Sequence, residues 1–123
     1  MPLQATLSRF VSMVEDGEFL KAIEEFYAPS ASMQENNLPP RVGKAALLAN
    51  ERKVLEGTRS VTSKCVGPVF VSGDRVVIRW LFHFESTTGK VARIEELAYQ
   101  RWLGEQIVEE QFFYDPAQMK AAS

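Results

Sequence analysis

A chain of 123 residues, 46% apolar and 24% charged, has the size and composition of one ordinary globular domain with a real core. Its net charge of −2 gives no electrostatic reason to expect nucleic acid or an anionic membrane as partner. No apolar run nears the roughly 20 residues that a membrane span needs, and the start lacks the basic segment and apolar block of a signal peptide. A single Cys and a single His exclude an intrachain disulfide and leave a zinc site short of its usual ligands. The expectation is a cytoplasmic protein with neither metal nor cofactor, because a reducing compartment suits a lone thiol.

Leu3, Leu7, Phe10, Val11 and Val14 recur at helical spacing and predict a first amphipathic helix. Asp16-Gly17 ends it, and Phe19, Leu20, Ile23, Phe26 and Tyr27 form the face of a second, which Pro29 stops. Residues 31–37 predict a short polar edge strand, followed by a loop through Asn36-Asn37 and Pro39-Pro40. A third helix opens at about Gly43, carries Leu47, Leu48, Val54 and Leu55, and meets Gly57 where a left-handed cap would fall. The apolar period then changes from helical to alternating. Strands are predicted over 61–72, with a bend at Gly67-Pro68, and over 76–85, 91–102 and 107–114. Asp115-Pro116 reads as an N-cap and first-turn proline opening a short terminal helix. Helices followed by a meander mean one α+β domain over 1–123.

Hairpin turns decide which strand residues share a face. With two-residue tips at 88–89 and 104–105, one face collects Trp80, Phe82, Phe84, Arg93, Glu95, Tyr99, Glu110, Phe112 and Tyr114. It is the more aromatic face and is assigned to the helices. A bulge or a three-residue turn would exchange the faces for part of the sheet. The other face holds His83, Glu96, Gln100, Trp102 and Phe113. It is too apolar for water and too polar for a core, which suits a homodimer interface on the convex side, with Trp102 and Phe113 as anchors.

A carboxylate among Trp80, Phe82, Phe84 and Phe112 would have its pKa raised by desolvation toward acid/base use. Glu95 and Glu110 are therefore the catalytic candidates, with Trp80, Phe82, Phe84, Arg93, Tyr99, Phe112 and Tyr114 as ligand-binding residues. An ion pair at the end of the sheet is the plainer alternative. His83 reads as an interface histidine before a general base, Asp115 as a helix cap before a pocket acid, and Cys65 as an inert thiol.

Three segments carry a resemblance. They are Phe26-Tyr27-Ala28-Pro29 at a helix end, Val42-Gly43-Lys44 opening the third helix, and the final hairpin from Gln100-Arg101-Trp102 through Ile107-Val108-Glu109 to Phe113-Tyr114-Asp115. With the order of elements, the whole chain resembles the nuclear-transport-factor-like cone fold and, within it, the SnoaL-like group related to polyketide cyclases. The resemblance implies three N-terminal helices packed on a strongly curved, mainly antiparallel, cystatin-like sheet, with a short C-terminal helical turn. It also implies an apolar pocket, used elsewhere on this fold by isomerases, dehydratases, epoxide hydrolases, cyclases and non-catalytic binding modules. Arg93, Glu95 and Glu110 are similar to the Arg-x-acid arrangement of limonene epoxide hydrolase, with Glu for Asp. Asp115 is the nearest match to the acid of SnoaL cyclases.

The expected function is binding of a small apolar molecule, with cofactor-independent isomerase, cyclase or dehydratase chemistry on an apolar ring compound. The alternative is a non-catalytic ligand-binding or dimeric interaction module.

Overall fold

The computed structural model of the chain describes residues 2–119. Among them, α1 (Gln4–Glu15) and α2 (Phe19–Phe26) are followed by β1 (Tyr27–Glu35), β2 (Arg41–Val42) and α3 (Lys44–Glu56). Four strands complete the fold: β3 (Thr58–Ser72), β4 (Arg75–Ser86), β5 (Val91–Leu103) and β6 (Gln106–Phe113), with a 3-10 turn at Pro116–Met119. The sheet runs β2-β1-β6-β5-β4-β3. Its neighbours are antiparallel except for β1 and β6, which are parallel. This is the expected α+β fold, a curved open sheet of mixed direction with helices on one face.

The helical periodicity translates directly into burial. Leu7, Phe10 and Val14 of α1, Ala22, Ile23 and Phe26 of α2, and Leu47 and Leu48 of α3 pack against Val76, Ile78, Trp80, Ala98, Trp102 and Ile107 of the sheet. Two local expectations are corrected. Gly57 ends α3 at φ −88°, outside the left-handed region, and the Val54 carbonyl accepts from Gly57 N–H at 3.2 Å and from the Thr58 hydroxyl at 2.7 Å. The chain leaves α2 at Tyr27 straight into β1, so the strand starts earlier than 31 and lies between β2 and β6 rather than at the edge. Pro29 sits in the irregular part of β1, between the pairs Tyr27↔Ile107 and Ser32↔Glu109, where its missing N–H interrupts no ladder bond.

The register of β5 differs from expectation, with large consequences. Phe84 pairs with Ala92 and Glu85 with Val91, so the β4–β5 loop has three residues at its tip, not two. Ser86 N–H donates to Lys90 O at 2.8 Å, and Gly89 takes φ +86°. A two-residue tip would need Thr88 at positive φ, which its branched side chain resists, whereas a three-residue loop asks for a left-handed residue only at its last position. One added loop residue turns every β5 side chain to the opposite face. A second shift follows between Trp102↔Ile107 and Arg101↔Glu109, leaving Val108 extra on β6. The two shifts cancel for β6. Glu110 and Phe112 therefore point inward as expected, while Ile94, Glu96, Ala98, Gln100 and Trp102 point inward in place of Arg93, Glu95, Leu97 and Tyr99.

Because open space surrounds Gly89, its replacement by alanine tests backbone conformation alone. Gly89→Ala should cost about 1–2 kcal/mol in urea unfolding. Gly57→Ala, at an ordinary φ and with only a 3.7 Å contact, should be neutral or mildly stabilising.

Candidate functional site

Between the helices and the inner sheet face lies a cavity of about 220 Å³. Alternation along β4 puts Trp80, Phe82 and Phe84 in a row on one wall, each adjacent pair of rings 5.8 Å apart. Phe19 of α2 meets Phe82 at 6.4 Å, and Phe112 of β6 also lines the space. The walls are mostly apolar, with polar groups gathered in two places, as in a small-molecule site.

The first place is deep. Gln100 of β5 pairs with Glu110 of β6, and Glu110 is only 3% exposed. Gln100 Nε2 donates to Glu110 Oε2 at 2.6 Å, the Tyr27 hydroxyl donates to Oε1, and Trp102 Nε1 donates to Gln100 Oε1 at 2.9 Å. Burial of Glu110 raises its pKa to about 7, against the opposing pull of its two donors. Burial, followed by the charge of Glu110, likewise pushes the Tyr27 phenol well above its usual range.

The second place lies toward the ends of β1 and β6. Glu35 accepts from the Tyr114 hydroxyl at 3.2 Å and meets the Arg41 guanidinium at 3.5 Å. Asn36, at φ +50°, accepts from Tyr114 N–H at 3.1 Å through Oδ1 and so fixes where β6 ends. Glu96 of β5 reaches the same cavity. Burial and the charges of Glu110, Glu35 and Glu51 raise its pKa to about 8. Glu51, on the face of α3 that carries Leu47 and Leu48, is raised by burial. One cavity thus holds carboxyls that resist ionising together.

Of the residues expected from sequence, the cavity brings together Trp80, Phe82, Phe84, Glu110, Phe112 and Tyr114. Arg93, Glu95 and Tyr99 are corrected to the outer face by the β5 register. Arg93 is exposed, Glu95 is paired with Arg79 through Nε at 3.1 Å, and the Tyr99 ring lies 5.3 Å from the Arg75 guanidinium. Trp102 and Gln100, expected at an interface, are fully buried. His83 is exposed on the outer face opposite Thr62 and Arg93, away from the cavity. Asp115 caps the terminal turn, accepting from Ala117 N–H at 2.9 Å. Cys65, half-buried, has its thiol raised by burial.

Tyr27, Glu51 and Glu96 were not anticipated. Glu51 was legible, since it lies three and four residues beyond Leu48 and Leu47 on one helical face. Glu96 was legible only through the glycine at the third position of its hairpin loop. Among the described residues, no group of three His, Cys, Asp or Glu is placed to hold a metal ion, and no helix is long and apolar enough to cross a membrane.

Solved structures with this fold include an NTF2-like protein of unknown function from Burkholderia pseudomallei K96243. It is 16% identical, with a TM-score of 0.80 over 94% of this chain and 92% of that one. A protein provisionally named a SnoaL-like polyketide cyclase, from Jannaschia sp. CCS1, is 15% identical with a TM-score of 0.79, covering 97% and 92%. TerC, co-crystallised with polyporic acid, is 12% identical with a TM-score of 0.78, covering 94% and 92%. At these identities the likeness is one of fold. No curated protein sequence matches significantly. The model of the SnoaL-like domain matches residues 7–110, most of the chain, and the protein belongs to that family.

Proposed function

We propose that the cavity binds a small, mostly apolar compound of one or two rings bearing a carbonyl or hydroxyl oxygen, and performs cofactor-independent acid/base chemistry on it. A cavity of about 150 Å³ holds benzene, so the 220 Å³ here suits a monocyclic or bicyclic ligand. The observation that carries the reading is a pair of desolvated carboxyls, Glu110 and Glu96, raised to about 7 and about 8 beneath an aromatic wall. Between those values the pair holds one proton, so an acid and a base coexist in one cavity near neutral pH. Glu110, whose two donors favour its carboxylate, is the base. Glu96, held protonated by burial and by neighbouring carboxylates, is the acid. Enolisation of a ketone, a step shared by isomerases and cyclases, needs that combination. A relative named for polyketide cyclisation and one co-crystallised with polyporic acid support a ring compound as ligand.

The test is solvent-deuterium exchange at the α-carbon of bicyclic and monocyclic ketones, beginning with 2-tetralone. The protein should accelerate exchange with a bell-shaped pH profile peaking between about 7 and 8. Glu110→Gln and Glu96→Gln should each lower the rate by about 10²–10⁴-fold. Ligand bound but never exchanged would favour a binding module.

The outer face supports a homodimer in this proposal. Leu97, Tyr99 and Phe113 remain exposed there at 45%, 41% and 43%. They stand on adjacent strands, beside the charges of Arg79 and Glu95. The double variant Leu97→Glu/Phe113→Glu should give folded monomers by light scattering; an unchanged assembly state would refute this interface.

A further inference from the structure

The hydrogen-bonded chain around Glu110 has a direction, and one residue dictates it. An indole N–H can only donate, and Trp102 Nε1 gives its proton to Gln100 Oε1 at 2.9 Å. With its oxygen so engaged, Gln100 turns its NH2 to Glu110 and donates to Oε2 at 2.6 Å. Tyr27 takes the other oxygen, Oε1. Trp102 and Gln100 are 0% exposed, and Tyr27 and Glu110 are 3% exposed, so the chain is closed to bulk solvent.

A proton added to Glu110 therefore has one acceptable seat. On Oε2 it would face the NH2 protons of Gln100. On Oε1 it donates to Tyr27 Oη, and the tyrosine's own O–H must then turn elsewhere. Tyr27 lines the cavity, and the cavity is the open direction. We propose that Trp102 and Gln100 are positioning residues that fix the polarity of this chain, so that Glu110, as the base, draws a proton from a ligand hydroxyl through the hydroxyl of Tyr27.

The step balances. The ligand O–H breaks as its proton passes to Tyr27 Oη, and the Tyr27 O–H breaks as its proton passes to Glu110 Oε1. Glu110 ends as carboxylic acid, Tyr27 as neutral phenol, and the ligand has lost one proton. The reverse transfer returns a proton to the ligand oxygen. The proposal rests on the acid/base reading for its purpose, but the polarity of the chain is measurable without any ligand.

The other titratable groups around the cavity are Glu35 on β1, Arg41 on β2, Glu51 on α3, Glu96 on β5 and Tyr114 after β6. None of them hydrogen-bonds Gln100 or Trp102 among the described residues, so a change at Trp102 reaches Glu110 through Gln100. The experiment is NMR of the ligand-free protein between pH 5 and 9. It follows the Glu110 carboxyl carbon, the Gln100 side-chain amide and the Trp102 indole N–H. In the wild-type protein all three should shift with one midpoint. In Trp102→Phe the Gln100 amide is free to present its oxygen to the protonated acid, and the Glu110 midpoint should rise by about one unit. Phenylalanine that merely loosened the packing would admit water and lower the midpoint.

A lowered or unmoved midpoint overturns the proposal. If Trp102→Phe does not fold, the wild-type titration decides: an indole and amide indifferent to the Glu110 midpoint overturn it equally. Correct polarity without ketone exchange would sink the enzymatic reading alone. Exchange with an unmoved midpoint would sink the polarity proposal alone.

Discussion

Truncating Trp102 to alanine should lower the unfolding free energy by about 4–8 kcal/mol, enough to unfold a domain of ordinary stability. Trp102 is 0% exposed and meets Phe10 edge to face at 5.9 Å. Removing a buried Trp side chain costs about 3–5 kcal/mol in lost transfer and cavity formation. The Gln100 oxygen that its indole satisfies would then be left without a donor in the core, which adds about 1–3 kcal/mol. Leu103→Ala is the control. Leu103 is 70% exposed on the opposite face, and its truncation should change stability by no more than about 0.5 kcal/mol. Urea unfolding of the two variants checks the register of β5 itself, because a one-residue slip would reverse their order. The same register means that a charged residue at 102 should abolish folding, because Trp102 is 0% exposed.

The second large effect is on pH. Glu110 and Glu96 have folded-state values of about 7 and about 8, above the carboxyl reference of 4.5. A folded pKa above the unfolded one means that the folded state holds its protons more tightly. The stability this contributes is complete below about pH 4.5 and is lost as pH rises through the folded values. The protein should therefore be more stable at pH 5 than at pH 8.5, by on the order of a few kcal/mol. Glu96→Gln, which cannot ionise, should raise stability at pH 8.5, leave it nearly unchanged at pH 5, and flatten the profile. Urea midpoints at the two pH values measure this. Stability that rises across the window, or a Glu96→Gln profile as steep as that of the wild-type protein, would contradict it. The carboxyls are thus a cost to the fold near neutral pH.

Much of the fold was legible because its signals are local. Helical spacing marked Leu7, Phe10 and Val14, and alternation marked Trp80, Phe82 and Phe84, which do share a cavity wall. The parity of β5 was not local. It depended on whether the loop at 87–89 has two or three residues at its tip, and an error of one there exchanged Glu95 for Glu96 and moved Trp102 from a surface to the core. The glycine at the loop's third position, preceded by two β-branched threonines, was the signal for the longer turn. Glu110 kept its place because the extra Val108 on β6 offsets the first shift, a coincidence no periodicity could reveal. Tyr27 lay beyond sequence reasoning for a different reason. Its partner is 83 residues away, and only the parallel pairing of β1 with β6 brings the two together.

Two carboxyls in this cavity should exchange protons near neutral pH. Carbon-detected NMR titration of the glutamate carboxyls measures it directly, with Glu96→Gln and Glu110→Gln assigning the two resonances. The expected result is a pair of midpoints between about 7 and 8, each moving when the other residue is changed. Midpoints for both in the ordinary range near 4.5 would contradict it.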